Sequence, residues 1–152
     1  MGRKKHTPGS FVRMRLADGS IGYGRLLESP YAAFYDYRTP SPDSELDRIA
    51  SKPILFRIAV RHLALDAWDF IGERALEEHL TQPVVQFMQE LGDFRRCTIF
   101  DTAGNERDAE PQDCVGLERA AVWEKEGIEE RLLAALLKRP SAAEERLKVR
   151  LQ

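Results

Sequence analysis

The stretch Ile54-Leu55-Phe56-Arg57-Ile58-Ala59-Val60-Arg61-His62 constrains the fold more than any other part of the chain. Its large apolar residues Ile54, Phe56, Ile58 and Val60 fall on alternate positions, the two-residue period of a strand with one buried face. Pro53 sits at the start, where a strand tolerates a missing N–H. The opposite face carries Arg57 and Arg61 over small neighbours, so it meets solvent, a second layer with acidic partners, or a ligand. A strand this apolar has to be covered, and 152 residues are enough for one core, since a chain of that length buries roughly 70% of its extended surface.

The segments around it read as further strands. Phe11 to Leu16 alternates, Asp18-Gly19 signals a tight hairpin turn, and Ile21 to Leu27 returns. Gly22 and Gly24, two apart, leave bare spots on one face of that strand, suited to aromatic packing at a bend or to a ligand floor. Tyr31 to Tyr37 is a third strand, with Tyr31, Tyr35 and Tyr37 on one face as core packing or as a recognition surface. Ser44 to Ser51 reads as a short helix, Leu63 to Ala67 as a turn and Trp68 to Gly72 as a strand. Val84 to Gln89 and Arg95 to Asp101 follow as strands, and Asp101 to Asn105 as a hairpin turn. Leu117 to Trp123 is ambiguous between strand and helix. From Ile128 the period becomes helical, with Ile128, Leu132, Ala135 and Leu136 on one face, until Pro140. The expected fold is α+β: a curved, mostly antiparallel sheet, partly barrel-like, with a C-terminal helix packed on it. Residues 1–8 are expected to be a flexible basic tail, 9–139 a single domain, and 140–152 a charged C-terminal tail.

Chemistry is thin. The three histidines, His6, His62 and His79, show no metal-ligand spacing, and there is no nucleophile elbow or phosphate loop. No catalytic residue, metal ligand or cofactor is expected. Cys97 and Cys114 lie far apart without CxxC spacing, which favours a reducing compartment over a disulfide framework. No apolar run approaches the ~18 residues that span a bilayer, so no membrane partner is expected and the expected location is cytoplasmic. A net charge of −2 argues against a nucleic-acid-gripping protein. Such a role would fall to Arg3, Lys4, Lys5, Arg57 and Arg61.

Acidic residues, by contrast, are bunched. Asp101, Glu106, Asp108, Glu110, Asp113 and Glu118 face the single Arg107 within one stretch, and Asp66, Asp69, Glu73, Glu77 and Glu78 face Arg74 in another. Such runs form a solvated face or a docking surface for a basic protein, whose association they would accelerate.

Several segments, in order, resemble the immunity protein 26 family: Gly9-Ser10-Phe11-Val12, Leu16-Ala17-Asp18-Gly19 through Tyr23-Gly24-Arg25-Leu26, Phe34-Tyr35-Asp36, Pro53-Ile54-Leu55-Phe56, Trp68-Asp69-Phe70-Ile71-Gly72 and Leu117-Glu118-Arg119-Ala120-Ala121-Val122-Trp123. The resemblance implies a bacterial immunity protein of polymorphic toxin systems, made in the cytoplasm to bind and neutralise a cognate toxin by steric or charge-complementary blocking. The toxin would be basic, with a nuclease as one candidate. Some relatives carry a small phosphotriester hydrolase label, and a metal-dependent hydrolase is the alternative. The expected partner surface comprises Asp66, Asp69, Glu73, Asp101, Glu106, Asp108, Glu110 and Asp113, with Tyr35 and Tyr37.

Overall fold

The computed structural model describes residues 7–152, so the basic residues Arg3, Lys4 and Lys5 lie outside the described residues. The fold class is α+β. Strands β1 (Ser10–Arg15), β2 (Ile21–Leu26), β3 (Tyr31–Thr39), β4 (Ile54–Val60), β5 (Asp69–Glu73) and the short β10 (Val122–Trp123) form one sheet, in the order β10-β4-β3-β2-β1-β5. A second sheet, in the order β8-β7-β6-β9, comprises β6 (Val85–Gln89), β7 (Cys97–Asp101), β8 (Glu106–Ala109) and β9 (Glu118–Arg119). The helices are α1 (Leu46–Ala50), α2 (His62–Ala67), α3 (Lys125–Leu136) and α4 (Ala142–Glu145).

The strands are thus divided between two open sheets, where the sequence suggests one curved and partly barrel-like sheet. The division begins after β5, where the backbone of Arg74 and Ala75 is bonded down onto Arg25 of β2 and the chain leaves the first sheet. Pairing is mostly antiparallel, with β10 on β4 and β9 on β6 as the parallel exceptions. Both exceptions come from Leu117 to Trp123. The ambiguity of that stretch has a physical basis, since it gives two residues to each sheet.

The central strand carries the main core as its alternation requires. Phe56, Ile58 and Val60 pack with Val12, Met14, Leu26, Ala32 and Phe34 beneath Ile128, Leu132 and Leu133 of α3. Ile54 departs from that face. The register slips by one residue between Phe34–Phe56 and Tyr35–Ile54, which moves Leu55 to the α3 side and Ile54 to the opposite one. A one-residue slip flips the side chains beyond it.

Glycines let the helix and an aromatic ring approach β2. A Cβ on Gly22 would lie 2.7 Å from Leu132 Cδ2, and one on Gly24 would lie 3.0 Å from the Phe34 ring. Aromatic packing therefore holds at Gly24, while a leucine of α3 fills the space at Gly22. The first hairpin closes by donation from Gly19 N to the Leu16 carbonyl at 2.9 Å, with Gly19 at φ +87°. Residues expected as a turn at 63–67 belong to α2, which begins at His62.

The charged segment 140–152 is docked on the domain. Ser141 is buried and donates to Glu130 at 2.6 Å, Leu147 joins the main core, and Val149 joins the second core of Phe87, Cys97, Ile99 and Cys114.

Candidate functional site

Alternation places the two acidic stretches on the outer strands of different sheets. β5, at the edge of the first sheet, bears Asp69 and Glu73; β8, at the edge of the second, bears Glu106 and Asp108. Asp66 is exposed on α2 just before β5. The ten residues expected at one partner surface are therefore distributed over at least two.

At the β5 edge the carboxylates are already engaged. Asp69 Oδ2 lies 3.5 Å from Arg13 Nε, and Glu73 accepts from the Thr7 hydroxyl at 2.9 Å. At the β8 end they differ in kind. Asp101 holds the hairpin turn, accepting from the amides of Ala103 and Asn105 and from Asn105 Nδ2 at 2.9, 3.1 and 3.0 Å. The Asn105 side chain and then its backbone hold the Asp101 carboxyl below the usual aspartate range. Glu110 and Asp113 cap a short 3-10 turn at Pro111–Cys114 reciprocally, which satisfies N–H groups the turn would leave open. Glu106 and Asp108 have no such structural duty. They are exposed and share one face of β8, which paired with β7 sets them opposite Phe100 and Thr98. Met88, 57% exposed, lies beside Thr98 on that face.

The tyrosines behave differently. Tyr35 is fully buried, and its hydroxyl accepts from Arg25 at 3.2 Å, so the expectation of an exposed contact at Tyr35 is corrected: the strand face it shares lies under α1. Tyr37 is half-buried and donates to Asp43 Oδ2 at 2.6 Å. Desolvation and that carboxylate push its hydroxyl pKa up.

Two buried arginines went unmarked in the sequence. Arg25 spends all five of its N–H donors: on the carbonyl of Gly9 at 2.8 Å, on Tyr35, on Glu77 Oε1 at 2.8 Å, and on the carbonyls of Arg74 and Ala75 at 2.9 and 3.0 Å. Its guanidinium stacks 4.0 Å over Phe11. Arg131 on α3 is bidentate to Glu118 at 2.9 and 2.6 Å, reaches Glu144 at 3.3 Å and stacks over Phe56 and Trp123. Each acidic stretch thus turns one carboxylate, Glu77 or Glu118, inward. Arg57 donates to the Gln82 and Pro83 carbonyls just before β6, and Arg61, just past β4, pairs at the surface with Glu124, so both arginines are engaged within the chain.

Cys97 and Cys114 are brought into one buried cluster as free thiols. Burial first, then Cys97, pushes Cys114 up to about 11, a range in which little thiolate forms. His62 and His79 are exposed; His62 starts α2 and His79 is the middle residue of a 3-10 turn at Glu78–Leu80. Among the described residues no group of three or more His, Cys, Asp or Glu side chains could hold a metal ion, and no helix is long and apolar enough to cross a membrane. What the surface offers is an acidic strand edge backed by a four-stranded sheet, a geometry suited to contact with another macromolecule.

No curated protein and no solved structure matches the chain. A family model does, that of immunity protein 26, over residues 7–98. Those residues run from the approach to β1 into β7 and take in five of the six strands of the first sheet. Because the match covers more than half of the sequence, the chain belongs to the immunity protein 26 family.

Proposed function

We propose that this immunity protein binds a cognate toxin domain of a bacterial polymorphic toxin system in the cytoplasm and neutralises it by covering its working surface, without catalysis of its own. The observation that carries the reading is the family match over residues 7–98. The acidic β8 edge supports a more specific form, in which the toxin presents a basic face, as a nuclease presents to phosphate. Glu106 and Asp108 are exposed and hold up no turn, cap or buried pair, so their charge is available to a partner. A standard interface would take about 800 Å² from this chain, more than β8 alone provides, so Asp101, Glu110, Asp113 and the rim with Met88 fall within its reach. Asp66 of α2, Asp69 and Glu73 of β5 and Tyr37 of β3 remain a second candidate surface within the same proposal.

The test is growth protection. The toxin domain encoded immediately upstream is expressed with the wild-type chain or with the double variant Glu106→Lys, Asp108→Lys. Glu110 is left intact because it caps the turn at Pro111. Protection by the wild type and its loss in the folded double variant is the expected result. Unchanged protection by the variant removes the β8 surface, and a wild type that never protects removes the toxin.

A further inference from the structure

β8 is an outer strand whose backbone is open on one side. Among the described residues it pairs with β7 alone, in a regular antiparallel register without a bulge. The amide of Asp101 donates to the carbonyl of Asn105 at 3.0 Å, which makes 101–105 a hydrogen-bonded pair. In an antiparallel ladder such pairs alternate with non-bonded ones. Arg107 and Ala109, opposite Ile99 and Cys97, therefore face β7 with their peptide groups, and Glu106 and Asp108, opposite Phe100 and Thr98, turn theirs outward. The two residues with acidic side chains are thus also the two that present an unpaired N–H and C=O at the sheet edge.

The other acidic edge lacks this regularity. The pairing of β5 with β1 is broken by a register shift between Phe11 and Val12, and Gly72 sits at φ +146°. Bulges of that kind make an edge a poor template. Charge decides what β8 admits. A second copy pairing antiparallel there would bring Glu106 and Asp108 against the same carboxylates, and like charges directly opposite are unfavourable. A strand with cations at alternate positions would gain at each of those places.

The geometry points to β8 as an acceptor for an added strand: a basic extended segment of the partner pairs backbone to backbone with Glu106 and Asp108 and sets Lys or Arg opposite their carboxylates. This rests on the reading that the partner is a basic toxin, and it specifies the mode of contact.

The test uses the full chain and three blocked heptapeptides as probes: one alternating threonine and lysine, one alternating threonine and glutamate, and the lysine peptide with its alternate amides N-methylated. Amide exchange at Glu106 and Asp108 is followed by NMR. With the lysine peptide at ten times its Kd, exchange at both amides is expected to slow about tenfold, with no slowing from the glutamate or N-methylated peptides. The variant Asp108→Pro, which removes an outward N–H and no bond to β7, should abolish the effect. Equal slowing by the N-methylated peptide would show charge attraction without strand pairing and overturn the inference. No slowing by the lysine peptide would overturn it too. Either failure leaves the immunity reading to growth protection, which does not depend on the mode of contact.

Discussion

Two arginines hold the domain together in different ways, and the difference sets what their loss should do. Arg25, wholly buried, donates to three main-chain carbonyls, of which that of Gly9 also accepts from the Arg74 amide at 3.3 Å. Arg131 answers the carboxylates Glu118 and Glu144, which are 28% and 42% exposed and can turn to water. Replacing a buried ion pair by a well-packed apolar residue is often tolerated, whereas leaving a buried polar group unpaired is not. Arg25→Met is therefore expected to cost about 3–5 kcal/mol and Arg131→Met about 1–2 kcal/mol, read from urea unfolding. Equal costs would refute the distinction. A pH effect follows from Asp43, whose carboxyl is bonded first by Arg48 and then by Tyr37 and the amide of Glu45 and is held well below the ordinary aspartate value of 3.8. A depressed folded-state pKa adds stability that is present above the unfolded value and is lost as pH falls through the folded one. Unfolding stability should thus fall from about pH 4 downward. In Asp43→Asn that acid slope should flatten while stability at pH 7 drops, and an unchanged slope would assign it to other groups.

Among the elements, those with a simple local period are legible in the sequence alone: β4, β1, β7 and the apolar face of α3 follow from alternation, hairpin glycines and a 3.6-residue face, while α3 itself begins three residues before Ile128, at Lys125. What depends on distant partners is not. Nothing local distinguishes Glu77 and Glu118, which turn inward to Arg25 and Arg131, from Glu106 and Asp108, which face water, since all four sit in runs of like charge. Tyr35 and Tyr37 share a strand face, yet only the first lies wholly under α1. The slip that leaves Leu55 as an extra residue in β4 and sends Ile54 to the other side likewise shows only once β4 is paired with β3. Close approach of α3 to β2 gives a further prediction at this scale. Gly22→Ala would press a methyl group against Leu132, and overpacking of this kind costs about 1–3 kcal/mol. The companion change Leu132→Val should recover part of that loss in a double-mutant cycle, and strict additivity would mean that the two sites do not touch. If β8 is the docking edge, its charges act mainly on encounter. Association of the toxin domain should slow with rising salt for the wild type and show little salt dependence for Glu106→Lys, Asp108→Lys.

At the scale of the whole molecule, the two sheets share little chain, and the segment 140–152 is one of the ties between them. Its charges suggest a solvated tail, because attachment comes through groups that composition does not reveal. Arg119 donates to the carbonyls of Leu147 and Lys148 at 2.9 and 3.2 Å. The Gln89 carboxamide pairs with the backbone of Arg150 in both directions, at 2.7 and 3.0 Å, as a neighbouring strand would. Val149 closes over Phe87 and Cys97, while Glu144 and Ser141 tie the same segment to α3. Deleting 140–152 should therefore uncover the second core and leave most of the first, where Phe34, Phe56 and Trp68 pack on one another. Hydrogen exchange should speed up in β6, β7 and β8 while β1 to β4 stay protected, as expected when a domain opens in separate cooperative units. Uniform loss of protection would instead make the two sheets one folding unit. The consequence reaches β8, because a docking edge works only if the sheet behind it is rigid. The truncated chain, with Glu106 and Asp108 intact, should thus fail to protect against the toxin, which would separate the scaffold's contribution from that of the charges it carries.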